Sequence, residues 1–121
     1  MTLGTEWLID ASGCDPAALA DINRLRAVFT RIINDLELHV LGEIAWHEFT
    51  PNGVSGVALL TESHLACHTY PEFRAATFNL YCCRDRATWP WEQMLKEMLG
   101  ASEVNVRTFE RIALQVGGAA R

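Results

Sequence analysis

Apolar positions recur along the chain at two distinct periods, and they divide it into elements. Residues 4–10 (GTEWLID) alternate well enough for a short strand, which the turn-like ASGCDP that follows brings to an end. Asp15 and Pro16 then read as an N-cap and a first helical position. Beyond them Ile22, Leu25, Phe29, Ile32 and Leu36 fall three, four, three and four apart, the stripe of an amphipathic helix. Its polar face carries Asp21, Arg24, Arg31 and Asp35. Residues 38–49 suit a strand with an irregularity at Gly42. Pro51-Asn52-Gly53 signals a turn, and 54–60 reads as a second strand of this region. Residues 74–83 alternate cleanly. Pro90 opens a helix that presents Trp91, Met94, Leu95, Met98 and Leu99, with Gly100 just past its end. A last strand spans 103–114, and 117–121 reads as a frayed end.

Strands outnumber helices, and the two kinds do not alternate one for one. The pattern predicts an α+β fold, a mainly antiparallel sheet with helices packed on one face. The other face then needs cover, and a second copy of the chain is the simplest source. A homodimer is therefore expected.

Composition narrows the function. The 121 residues make a single domain, half hydrophobic and 21% charged, with a formal net charge of −5. Lys96 is the only lysine among ten basic residues, and no basic stripe is present, so nucleic acid is not an expected partner. No apolar run approaches the ~20 residues of a membrane span. No basic-then-apolar leader opens the chain, and a cytoplasmic location is expected. Four cysteines, Cys14, Cys67, Cys82 and Cys83, are then expected to be reduced. Strand parity separates the adjacent pair. Cys82 falls with Phe78 and Leu80 on a core face, whereas Cys83 falls with Thr77, Asn79 and Tyr81 on a polar one. Cys14 and Cys67 read as structural.

The chemistry concentrates in residues 62–72, ESHLACHTYPE. A polar strand end with satisfied histidines is one reading. A metal site is another, since His64 and His68 are four apart, but no C-x2-C or HExxH spacing supports it and Pro71 opposes a helix. Nucleophilic chemistry at Ser63 is the third, and it needs a base nearby. In an extended segment His64 and His68 share one face and Ser63 and Cys67 the other, so a turn at Ser63 would be needed to join them. Gly53-Val54-Ser55-Gly56 lacks the G-x-S-x-G spacing of a hydrolase elbow.

Taken in order, Gly53-Val54-Ser55-Gly56-Val57, Glu62-Ser63-His64, His68-Thr69-Tyr70-Pro71-Glu72 and Cys83 resemble the prokaryotic S-adenosylmethionine decarboxylase proenzyme family. The likeness extends along nearly the whole chain. It implies a proenzyme that cuts itself between residues 62 and 63, leaving pieces 1–62 and 63–121, with a pyruvoyl group derived from Ser63 as cofactor. It further implies His68 as the processing histidine, Ser55 as a hydroxyl that assists it, and Cys83 as the catalytic acid. Phe49 and Glu72 match positions that hold the nucleoside, and Tyr70 and Asn79 fall at substrate-facing positions. No metal is implied. The implied fold, a sheet with helices on one side paired as a dimer, agrees with the pattern of the residues. The chemistry is coherent: a keto group at position 63 condenses with a substrate amine and takes up the electrons released as carbon dioxide leaves. A thiol, ordinarily titrating at about 8.5, still carries a proton to return.

The likeness loosens around the substrate. The family usually carries tryptophan at position 70, aspartate at 79, and glycine, acid, histidine after the cysteine, where this chain has Arg84-Asp85-Arg86. Relatives with the same chemistry decarboxylate ornithine or arginine, and these changes keep such a basic amino acid open as the substrate. Phe49 and Tyr70 would suit a sulfonium nucleoside, whereas Glu72 or Asp85 would suit a distal amine. Arg84 and Arg86 read as a solvated edge paired with Asp85. An unprocessed, non-catalytic dimeric module is the remaining reading.

Overall fold

The computed structural model describes residues 1–84 and 86–116. The frayed end expected over 117–121, and Asp85 as a partner for its arginine neighbours, lie outside the described residues. The elements run β1 (Thr2–Ser12), α1 (Pro16–Leu19), α2 (Ile22–Asp35), β2 (Ala45–Glu48), β3 (Val54–Leu60), β4 (Ser63–Tyr70), β5 (Ala75–Cys82), α3 (Trp91–Leu99) and β6 (Glu103–Ile112). A 3₁₀ turn, Pro71–Phe73, joins β4 to β5. The six strands form one antiparallel sheet in the order β2-β3-β4-β5-β1-β6. This is the expected α+β architecture.

Alternation along the strands builds the core. Trp7, Ile9 and Ala11 of β1, Val54, Ala58 and Leu60 of β3, Leu65 and Cys67 of β4, and Ala76, Phe78, Leu80 and Cys82 of β5 are all buried. They share one cluster with Leu25, Val28, Phe29 and Ile32 of α2 and Trp91, Met94, Leu95 and Leu99 of α3. Each large side chain buried there contributes roughly 1.5–3 kcal/mol. Polar ties fix the helices over the sheet. Arg24 donates to the Met98 carbonyl at 2.9 Å, and the Trp89 indole donates to Asp35 at 3.0 Å. The Thr69 hydroxyl, buried under β4, donates to the Leu19 carbonyl at 2.7 Å and accepts from the Val54 amide at 2.9 Å.

Three sequence expectations need correction. The helix starting at Asp15 is two helices. Asp15 does cap α1 with Pro16 in its first turn, but the chain then turns and Asp21 caps α2 through the Asn23 amide. Asp21 is thus a cap rather than a position on the polar face. The strand expected over 38–49 is broken, because Gly42 takes a left-handed φ of 69°. Only Ala45–Glu48 forms β2, although Leu41 and Thr61 keep the 39–41 stretch bonded beside the end of β3. Residues 74–83 shorten to Ala75–Cys82, since Arg74 is left-handed at φ 52° and Cys83 follows the last paired residue. β4 lies where the apolar pattern assigned no element, over most of the 62–72 stretch. Among the described residues no helix is long and apolar enough to cross a membrane.

Gly56 lies opposite Trp46 in the β2–β3 ladder, and a Cβ there would run into the indole ring. That ring packs on Phe29 at 4.8 Å between centroids. Gly56→Ala should therefore destabilise the fold by about 1–3 kcal/mol, read as a lower denaturant midpoint at unchanged slope.

Candidate active site

The β3–β4 hairpin turns on two residues, Thr61 and Glu62, so Ser63 begins β4 directly after the turn. Ser63 stands opposite Leu60 on one side and Cys82 on the other. Its hydroxyl lies beside the Cys82 sulfur on the helix-facing side of the sheet. The next strand crosses the same place, and the Cys83 amide donates to the Glu62 carbonyl at 3.2 Å. The carbonyl of the Glu62–Ser63 peptide is thereby held by a backbone donor. Arg84 Nε donates to the Glu62 side-chain carboxylate.

The cysteines divide as parity predicts. Cys82 is buried and Cys83 exposed. Burial pushes the Cys82 thiol up, with the Ser63 hydroxyl and Arg86 guanidinium pulling weakly the other way. Burial also raises Cys14, and it takes Cys67 to about 12.

His68 sits at the far end of β4. Four residues separate it from Ser63, and the five steps between them span about 16 Å along an extended strand. Its Nδ1 lies 2.6 Å from the Ser55 hydroxyl, its cross-strand neighbour on β3. The pair opens onto a cavity of about 500 Å³ that is also lined by Phe49, Tyr70 and Glu72. Phe49 offers a half-exposed ring, steadied edge-on by His47 at 4.5 Å. Four of the expected site residues therefore gather with His68, while Ser63 and Cys83 lie at the other end of the strand. The side chains of Ser63 and His68 also leave opposite faces of the sheet.

Asn79 does not line the cavity. It lies on the open face, in the middle of the sheet, and its amide nitrogen donates to Glu6 at 2.7 Å while its oxygen meets His64 Nε2 at 2.7 Å. A carboxylate can only accept, so the Asn79 nitrogen must face Glu6 and its oxygen must face His64. His64 Nε2 accordingly carries hydrogen. Arg111 closes the chain on the other Glu6 oxygen at 2.7 Å, and Tyr81 stacks beside His64 at 5.8 Å. The Asn79 hydrogen bond, helped by Arg111, holds the Glu6 carboxyl below its usual range against the opposing effect of burial. Sequence reading missed Glu6 and Arg111. Glu6 has the parity to face away from Trp7 and Ile9, but only the β1–β5 and β1–β6 registers bring it to Asn79 and Arg111. Among the described residues no three His, Cys, Asp or Glu side chains gather as a metal site.

Comparison with known proteins gives one consistent family. The family model described as S-adenosylmethionine decarboxylase matches residues 5–112. The chain is 33% identical over 111 residues to an S-adenosylmethionine decarboxylase proenzyme of Moorella thermoacetica, covering 90% of this chain and 87% of that one. It is 36% identical over 118 residues to the proenzyme of Caldanaerobacter subterraneus, covering 90% and 92%. A Pyrococcus furiosus proenzyme is 36% identical over 86 residues, 71% of this chain, and the match spans only 61% of that longer protein. The crystal structure of the adenosylmethionine decarboxylase from Aquifex aeolicus VF5 superposes with a TM-score of 0.78 at 25% identity, over 98% of each chain.

Two outcomes follow from the site's electrostatics. In the native protein iodoacetamide should label Cys83 first, with Cys14, Cys67 and Cys82 reacting only on unfolding, read by peptide mass mapping. Glu6 has a depressed folded pKa, so its stabilisation is complete above the unfolded carboxylate value of about 4.3 and is lost as pH falls through the lower folded value. Glu6→Gln should lower stability at neutral pH and flatten that acid limb in denaturation curves taken from pH 7 to pH 3.

Proposed function

Because the chain belongs to the S-adenosylmethionine decarboxylase family, we propose that it cuts its own backbone between Glu62 and Ser63, converts Ser63 to a pyruvoyl group, and decarboxylates S-adenosylmethionine to the aminopropyl donor of spermidine synthesis. The observation that carries this reading is the Glu62 carbonyl, held by the Cys83 amide at a tight turn that puts Ser63 next in line. Attack by a serine hydroxyl places negative charge on that oxygen, and a fixed N–H donor stabilises it. The pieces are 1–62 and 63–121. The pyruvoyl group supplies an electrophilic carbonyl that captures the substrate amine and accepts the electrons freed as carbon dioxide leaves.

The chain's own residues supply the rest. Cys83 is exposed beside the 62–63 bond and returns a proton to the substrate carbon. His68 moves a proton during processing, and Ser55 orients it through their 2.6 Å hydrogen bond. Phe49 and Tyr70 present aromatic surface to the sulfonium nucleoside, and Glu72 accepts from its polar groups. Asn79 acts at one remove, by holding His64.

One chain does not bring these groups together, since β4 keeps Ser63 and His68 about 16 Å apart. A second copy does. The open sheet face exposes Val57, Leu59, Tyr70 and Phe109. Two such faces related by a two-fold axis running across the strands set the Ser63 end of one protomer against the His68 end of its partner. The homodimer then contains two sites, each built from both copies.

Intact mass spectrometry of the purified chain should show two pieces meeting at 62/63, and Ser63→Ala should abolish the cut. The cut protein should release carbon dioxide from S-adenosylmethionine and not from ornithine or arginine; the reverse preference would replace the substrate assignment. A persistently uncut 121-residue chain would refute the enzyme reading. Co-expressed Ser63→Ala and His68→Ala chains should yield cut His68→Ala protein in mixed dimers, although neither variant cuts alone. Absence of cutting in the mixture would refute the shared site.

A further inference from the structure

Arg84 and Arg86 are the residues that the family likeness leaves without a role, and both lie at the bond assigned to self-cleavage. Arg84 Nε donates to the Glu62 side-chain carboxylate. The Arg86 guanidinium is close enough to Cys82, the residue paired with Ser63 across β4 and β5, to favour its thiolate. Its Nε is buried and meets no hydrogen-bond acceptor among the described residues. The Cys83 amide holds the Glu62 carbonyl. Cys83, Arg84 and Arg86 thus place a backbone donor on the Glu62 carbonyl, one guanidinium on the Glu62 side chain and another near Cys82, which pairs with Ser63. Stability does not explain the arrangement. The Arg84 and Glu62 side chains are 69% and 36% exposed, and a pair so open adds little.

Resting on the self-cleavage reading above, we propose that Arg84 and Arg86 form a receptor for the carboxylate that the cut creates at Glu62, speeding its departure and keeping the new chain end beside residue 63. The steps require such an anion. Ser63 Oγ attacks the Glu62 carbonyl carbon, the C–N bond breaks, and an ester and a free Ser63 amine result. A base removes the Ser63 α-proton. The electron pair left behind forms the Cα–Cβ double bond, and the Cβ–Oγ bond breaks with its electrons on oxygen. Glu62 departs as a carboxylate. Water then replaces the nitrogen at Cα, ammonia leaves, and the keto group remains. Before the cut Glu62 presents one carboxylate, which Arg84 holds; afterwards it presents two. Arg86 supplies the second cation. A guanidinium matches a carboxylate with two parallel donors, and a leaving group so matched departs faster than one facing water alone.

The test follows self-cleavage of the full chain by intact mass, with samples quenched in buffer or in hydroxylamine. Wild type should give the piece that begins with the pyruvoyl group. Arg84→Met combined with Arg86→Met should keep the melting midpoint but cut about ten-fold more slowly, holding a pool of uncut mass that hydroxylamine splits into a Glu62 hydroxamate and a piece beginning with intact serine. Arg84→Lys with Arg86→Lys should recover most of the rate. A double methionine variant that cuts at the wild-type rate, or that slows without any hydroxylamine-labile pool, overturns the receptor alone. A wild-type chain that never cuts overturns the receptor together with the reading it rests on.

Discussion

The alternation of side chains along β4 is the constraint on which the rest of the molecule depends. Leu65, Cys67 and Thr69 point into the helix layer, and the same pleat sends His64 and His68 to the opposite face. A strand cannot bury its odd positions without committing its even ones. Ser63 shares the parity of the core residues, so its hydroxyl is drawn toward Cys82 and away from both imidazoles. Within one chain the serine and the histidines of β4 are therefore separated across the sheet, and Ser63 and His68 along the strand as well.

The sheet also fixes where the polar groups of its strands stand relative to one another. Glu6, Ser55, His64, His68 and Asn79 each sit on a strand with a neighbour on both sides to fix its register. Ser55 and His68 meet because β3 and β4 pair them. Glu6 and His64 both stand opposite Tyr81, and Asn79, two residues along β5 on the same face, reaches each of them diagonally. The amide of Asn79 reads a carboxylate on one side and therefore dictates the proton on the imidazole at the other. The family's usual aspartate at this position would accept from His64 and repel Glu6, so asparagine here fits a chain that keeps glutamate at position 6.

Much of the fold was legible in the sequence because burial repeats at the period of each element. The stripe Ile22–Leu36 and the alternation of 74–83 announced α2 and β5, and the same parity separated buried Cys82 from exposed Cys83. Local punctuation was harder to read. A second cap at Asp21 divides what reads as one helix, and left-handed turns at Gly42 and Arg74 delay the start of strands that composition would begin earlier. Of the site, the motif order exposed the residues but not their separation: His68 is near Ser63 in sequence because both lie on one strand, and that strand is also what keeps them apart. Glu6 and Arg111 were invisible for a different reason, since their partnership spans 105 positions and exists only once β1 and β6 pair.

The hairpin turn at Thr61–Glu62 has a further consequence for how the molecule persists. A break there would leave β1, β2 and β3 on one piece and β4, β5 and β6 on the other. In the sheet these strands stand β2-β3-β4-β5-β1-β6, so the pieces are interleaved and three of the five ladders join one to the other. The nick would cost the native state almost nothing. It would, however, turn refolding from a unimolecular event into a bimolecular one, with a stability that varies with concentration. A cut molecule that unfolded would have to find its other half again, so maturation at this bond would make the folded form a one-way product.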